Sequence, residues 1–82
     1  MLIMNDYETI DTISAFELEL NDLIRVPLDL TQEGGAVGDD IVEVTDLDED
    51  DVLVNVTGYS HTLGETITFP LPWDYDVDLL GA

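Results

Sequence analysis

Carboxylates are the side chains through which this sequence can do chemistry: 20 Asp and Glu stand against one Arg, with a single His and no Cys. The densest group is Asp46-Leu-Asp-Glu-Asp-Asp51, in which Asp46, Asp48 and Asp50 alternate and Glu49 and Asp51 fill in. Oxygen ligands at alternate positions are the pattern of a calcium loop, which also needs Gly at its sixth position and Glu at its twelfth. Here Asp51 and Thr57 occupy those places. Adventitious weak cation binding is therefore expected in place of a dedicated metal site.

Paired carboxylates act as general acid and base when burial drives their pKa values apart. Nothing around Asp46 and Asp48 implies burial, and so acidic a composition brings carboxylates together without selection for catalysis. His61 directly follows Ser60, but a nucleophile and its base meet across space with an orienting acid, so this pair reads as a surface turn. One histidine and no cysteine leave no imidazole or thiolate metal centre. Gly34, Gly35 and Gly38 lie among Glu33, Asp39 and Asp40 with no Lys, a setting that repels phosphate. Neither a cofactor nor an enzymatic activity is expected.

What remains is the charge itself, formally −19. A net charge of magnitude about 2 to 8 keeps a small domain soluble, and a larger one opposes compaction. Either a basic partner surface or screening by high salt would account for the excess. Direct binding to nucleic acid is excluded, because it needs cations that displace phosphate counterions. On an extended strand, residues two apart lie ~6.6 Å apart on one face, a spacing of the same order as successive phosphates along a nucleic-acid strand. Glu17 with Glu19, Asp46 with Asp48 and Asp50, and Asp74 with Asp76 and Asp78 are all spaced in this way. The residues expected to meet a partner are Asp46, Asp48, Glu49, Asp50, Asp51, Asp74, Asp76 and Asp78, with Tyr75 as an aromatic anchor. Trp73 and Phe69 are expected in the core. Arg25 should point opposite to Ile24 and Val26 and pair with carboxylates across the sheet.

Positioning these groups requires a β scaffold. Hydrophobic residues make up 45% of the 82, enough for a small core and against disorder. Residues Tyr7 to Ile13 have the β-branched content of a first strand. Ser14-Ala-Phe-Glu17 fits a capping box that opens a short helical turn near Ser14–Leu20. A turn at Asn21-Asp22 leads into a strand from Leu23 to Val26, which Pro27 ends or confines to an edge, with Leu28 to Leu30 continuing beyond a kink. Thr31 to Asp40 reads as a glycine-rich loop. Ile41 to Thr57 alternates Val and Ile with polar residues on both sides of the acidic turn, which makes a hairpin. Gly58 to Gly64 supplies the next turn and Glu65 to Phe69 the next strand. Pro70 and Pro72 are expected to prevent regular pairing from Phe69 to Trp73. Asp74 to Leu80 reads as a last edge strand with its acids toward water. Edges at Leu23–Leu30 and Val77–Leu80 are the places where a homodimer would pair. The chain is thus expected to be one all-β domain, residues 1–82, of five to six short strands in a strongly bent antiparallel sheet or a partly open barrel.

The segment Ala15-Phe-Glu-Leu-Glu-Leu-Asn-Asp-Leu-Ile-Arg-Val26, with Val42-Glu-Val44 and Val52-Leu-Val-Asn-Val56, resembles the small SH3-like barrel modules of bacteria and their phages. Those commonly open with Glu-Leu-x-x-Gly-Asp. Glu17-Leu18-Glu-Leu-Asn21-Asp22 matches, except that Asn21 stands where the family has Gly. The resemblance implies an SH3-like barrel and carries over no catalytic residue, because that fold hosts many functions.

The apolar start Met1-Leu-Ile-Met4 stops at Asn5-Asp6 without a basic region before it, so no signal peptide and no membrane association are expected. A cytoplasmic protein is the expectation, in the host cell if a phage encodes it. The expected function is a non-enzymatic acidic interaction protein, a phage- or mobile-element-encoded inhibitor that mimics nucleic acid on the basic surface of a host nucleic-acid-binding protein. The alternatives are a structural or assembly module of a virus particle, a salt-adapted domain, and a cation-stabilised β domain.

Overall fold

Alternation builds the centre of the molecule. Val42 and Val44 on one strand and Val54 and Val56 on the next are almost fully buried, while the residues between them meet solvent wholly or in part. Two runs with this period form a hairpin only in the register that sends all four valines to one face. In the computed structural model, which describes residues 8–31 and 38–81, they are β3 (Asp39–Glu49) and β4 (Leu53–Ser60). Around them stand β1 (Glu8–Ser14), a 3₁₀ turn (Ala15–Glu17), β2 (Leu23–Pro27), a single helical turn α1 (Leu28–Thr31), β5 (Glu65–Pro72) and β6 (Asp76–Gly81). The apolar start, Glu33 and Gly34-Gly35 lie outside the described residues.

All six strands form one sheet in the order β1-β6-β2-β3-β4-β5, and every neighbouring pair is antiparallel. Its curvature follows from the shortest connection. Four Cα steps lead from Pro72 to Asp76, a reach of at most ~14 Å, yet β5 and β6 are four places apart, ~19 Å in a flat sheet. The sheet must therefore bend until its ends approach. One core cluster fills the concave side, from Ala15 and Leu18 through Ile24, Val26, Val42, Val44, Val54 and Val56 to Phe69, Leu71 and Val77. Helical turn α1 packs against β2, β3 and β5 across that side, with Leu28 buried. The bent sheet is the all-β architecture expected from the strand pattern. It does not close into a barrel, because β1 and β5 remain edges among the described residues.

Local signals near the N-terminal half form as their chemistry dictates. Glu17 Oε1 accepts a hydrogen bond from the Ser14 backbone N–H at 3.1 Å, and the Leu18 N–H donates to the Ala15 carbonyl at 3.1 Å. Asn21 adopts φ 76°, the left-handed conformation for which Gly is the usual choice. Asn21 and Asp22 also grip β3, since Asn21 N–H donates to Val44 O and Val44 N–H to Asp22 O, both at 2.8 Å.

Several expectations are overturned. Strand β2 lies inside the sheet between β6 and β3, so Pro27 ends it, and Leu28–Thr31 forms a helical turn in place of a continued strand. Strand β6 is also interior, flanked by β1 and β2. Leu23–Leu30 and Val77–Leu80 are thus not edges at which two subunits could pair. Asp39 and Asp40 belong to β3, outside any loop. Pro70 and Pro72 sit within regular pairing, opposite Asn55 and Leu53. Being two apart, they lack N–H groups on the same side of β5, while the Trp73 N–H, of opposite parity, donates toward the Val52 carbonyl. The missing donors face the open edge, the one place where a strand tolerates proline.

Candidate functional site

The acidic surface is produced by one irregularity. Asp40, Val42 and Val44 point inward on β3, and continued alternation would send Asp46 and Asp48 inward as well. The register instead shifts between Val44 and Asp46, so that Asp46 stands opposite Thr57, Leu47 opposite the buried Val56, and Asp48 opposite Asn55. Thr45 is the extra residue of this β-bulge, and its hydroxyl donates to the Thr57 carbonyl at 3.2 Å. Leu47 thereby joins the core, and Asp46 and Asp48 turn outward on the face that already carries Asp39 and Glu43. Gly58 lies opposite Val44, where a Cβ would come within 2.5 Å of the Glu43 carbonyl oxygen. Only glycine lets the two strands approach this closely.

Beyond the bulge the hairpin ends in a turn that the acids themselves close. Asp50 Oδ1 accepts hydrogen bonds from the N–H groups of Val52 at 2.9 Å and Leu53 at 2.8 Å, and the Asp50 N–H donates to the Leu53 carbonyl. The Val52 amide first, and then that of Leu53, hold the exposed Asp50 carboxyl below the ordinary aspartate value.

At this end three connections run side by side. The Trp73 N–H donates to the Val52 carbonyl, and the Phe16 N–H donates in turn to the Trp73 carbonyl, each at 3.2 Å. The hairpin tip, the β5–β6 connection and the 3₁₀ turn are thus joined. The rings of Phe16 and Trp73 stack with centroids 6.0 Å apart and an interplanar angle of 27°. Both are exposed, Phe16 by 49% and Trp73 by 41%, and Val52 beside them by 66%. Glu17, Asp50, Asp51 and Asp74 stand on the same three connections, all exposed.

The structure therefore sorts the residues expected to meet a partner. Asp46 and Asp48 share the outer face of β3, Glu49, Asp50 and Asp51 form the tip, and Asp74 meets that tip through Trp73. Asp76 is exposed at the start of β6, opposite Ser14. Asp78 is half-buried, stands opposite Arg25 in register and accepts from the Thr12 hydroxyl at 3.3 Å. Arg25 Nη1 donates to the Thr9 hydroxyl at 3.1 Å. Tyr75 is half-buried and packs on the core, while Trp73, expected in the core, is exposed. The reason is placement: Trp73 falls in a connection, whereas Phe69 lies opposite Val56 and is buried. His61 is exposed in its turn, with its ring edge-on to Tyr59.

Sequence reasoning missed Glu43 and Phe16. The parity of Val42 and Val44 signals Glu43, because an acid between two inward valines must face out. No comparable signal marks Phe16, whose exposure depends on where Trp73 lies. Among the described residues, no group of three or more His, Cys, Asp or Glu side chains is placed to hold a metal ion, and no helix is long and apolar enough to cross a membrane. No protein-family model, curated protein or solved structure matches the chain.

Proposed function

We propose that this protein is a non-enzymatic acidic interaction module that binds the basic surface of a protein partner. The observation that carries the reading is the bulge at Thr45, which turns Asp46 and Asp48 outward beside Glu43 on a strand leading to the acidic tip. From Glu43 to Asp48 these carboxylates span ~13 Å of extended backbone on one face. A row of fixed negative charges on a rigid strand attracts a basic groove over long range and sets the register in which it docks. The partner class that fits is a nucleic-acid-binding protein, whose groove is already shaped for rows of anionic oxygens. Occupying that groove would make this chain a competitor of nucleic acid, the role expected of a phage- or mobile-element-encoded inhibitor.

Affinity capture from lysate at low salt, with elution by a salt gradient, tests the reading. The expected outcome is a basic protein that salt releases and that duplex DNA displaces. The triple variant Glu43→Gln, Asp46→Asn, Asp48→Asn should retain at least about tenfold less of it. Capture that is indifferent to salt, to DNA and to the triple variant would refute it.

A further inference from the structure

The charged row explains attraction but supplies no anchor. Interfaces draw most of their affinity from a few large side chains in a desolvated centre, enriched in Trp, Tyr and Arg and ringed by polar groups. The Phe16–Trp73 stack has that form: two exposed aromatic rings on three joined connections, with Val52 beside them and carboxylates from Glu17, Asp51 and Asp74 on the same segments. A domain this short of large apolar residues would gain from burying both rings, and instead the fold holds them at its surface. Its backbone bonds from Phe16 to Trp73 and from Trp73 to Val52 fix the pair in place before any partner arrives.

Charge decides the occupant. A second copy of this chain, itself of net charge −19, is repelled from this acidic end, and nucleic acid is repelled for the same reason. A purely apolar segment would bury the rings but leave the surrounding carboxylates desolvated without partners. An arginine side chain satisfies both: its planar guanidinium stacks on an indole face and forks onto a neighbouring carboxylate, which the compact ammonium of lysine does less well. We propose that the Phe16–Trp73 stack at the acidic end of the sheet docks an arginine-bearing segment of the basic protein partner. This rests on the reading of the chain as an acidic interaction module and names the side-chain chemistry that the module recognises.

Trp73 is the single tryptophan, so its emission reports on this site alone. The probe is a short synthetic peptide alternating Arg with Leu, compared with the same peptide carrying Lys for Arg. The arginine peptide should change Trp73 emission saturably and bind about fivefold or more tighter than the lysine peptide. Phe16→Ala, at an exposed position, should weaken binding about tenfold with little change in melting temperature. Asp51→Asn with Asp74→Asn should weaken it further and flatten its salt dependence. No saturable change, equal affinity for the two peptides, or indifference to Phe16→Ala would overturn the proposal. Sedimentation showing that the chain self-associates through the stack would do the same. The two readings fail separately. If the Glu43, Asp46, Asp48 variant loses the captured partner while Phe16→Ala binds it fully, the charged face stands and the aromatic anchor falls.

Discussion

Two aspartates close the turns at opposite ends of β4, one from a buried position and one from an exposed one. Asp40 is fully buried and accepts from the Ser60 hydroxyl at 2.6 Å and the Thr62 N–H at 3.2 Å, while Ser60 Oγ accepts from the Leu63 N–H. This network closes the turn after β4, where Gly64 takes φ 71°. Asp40→Ala would leave the buried Ser60 hydroxyl and the partly buried Thr62 N–H without this acceptor and should cost about 2 to 3 kcal/mol in urea unfolding, with Asp40→Asn, which keeps one acceptor oxygen, costing less. Asp50 is exposed and shapes the opposite turn through two backbone amides. Because its folded pKa lies below its unfolded value, its contribution is complete above the ordinary aspartate value of about 3.9 and disappears as pH falls through the lower folded value. Asp50→Ala should therefore lower the melting temperature at pH 7, and the difference from wild type should shrink under more acidic conditions. A difference that persists unchanged in acid would mean that the charge of Asp50 plays no part.

At the scale of elements, the bulged hairpin joins stability to surface chemistry. Gly58→Ala would press a Cβ against the Glu43 carbonyl and the Val42 side chain, both 2.5 Å away. Neither is a flexible chain end, so a loss of about 3 kcal/mol is expected in thermal or urea unfolding. Deleting Thr45 removes the unpaired residue and leaves Val44, Asp46, Leu47 and Asp48 as successive partners of Gly58, Thr57, Val56 and Asn55, so Leu47 stays inward and Asp46 and Asp48 stay outward. The deletion should lose only the bond from the Thr45 hydroxyl to the Thr57 carbonyl and the local twist of the bulge, at about 1 kcal/mol in urea unfolding; a loss of several kcal/mol with a broadened transition would contradict this register. Much of this was legible beforehand. The β-branched runs, the capping box at Ser14–Glu17 and the Asn21 turn each depend on neighbours in sequence, and each formed where its residues implied. Strand order depends on long-range pairing that no local residue encodes, so the local pattern of β2 and β6 points to edges although both strands are interior. The prolines of β5 misled for the same reason, because their effect depends on which side of the strand is paired. The bulge was readable in principle, since apolar positions 42, 44 and 47 break a period of two.

For the whole molecule, charge and curvature act together. Bending brings the β5–β6 connection to the hairpin tip and the 3₁₀ turn, so acids from sequence-distant segments, Glu17, Asp50, Asp51 and Asp74, gather at one end. Nothing in their sequence positions predicts that grouping, whereas the charge itself was evident from composition. Nearly all of these carboxylates stay at the surface, where water screens their mutual repulsion at little cost to the small core. A cationic partner would relieve that repulsion further, giving association that is fast and sensitive to salt. The most direct test is the affinity of the captured partner measured across a salt series, for the wild-type chain and for the Glu43→Gln, Asp46→Asn, Asp48→Asn variant. A steep fall in wild-type affinity with salt, and a weaker, flatter curve for the variant, is the predicted result. Two superimposable curves, or a wild-type affinity that does not change with salt, would contradict it.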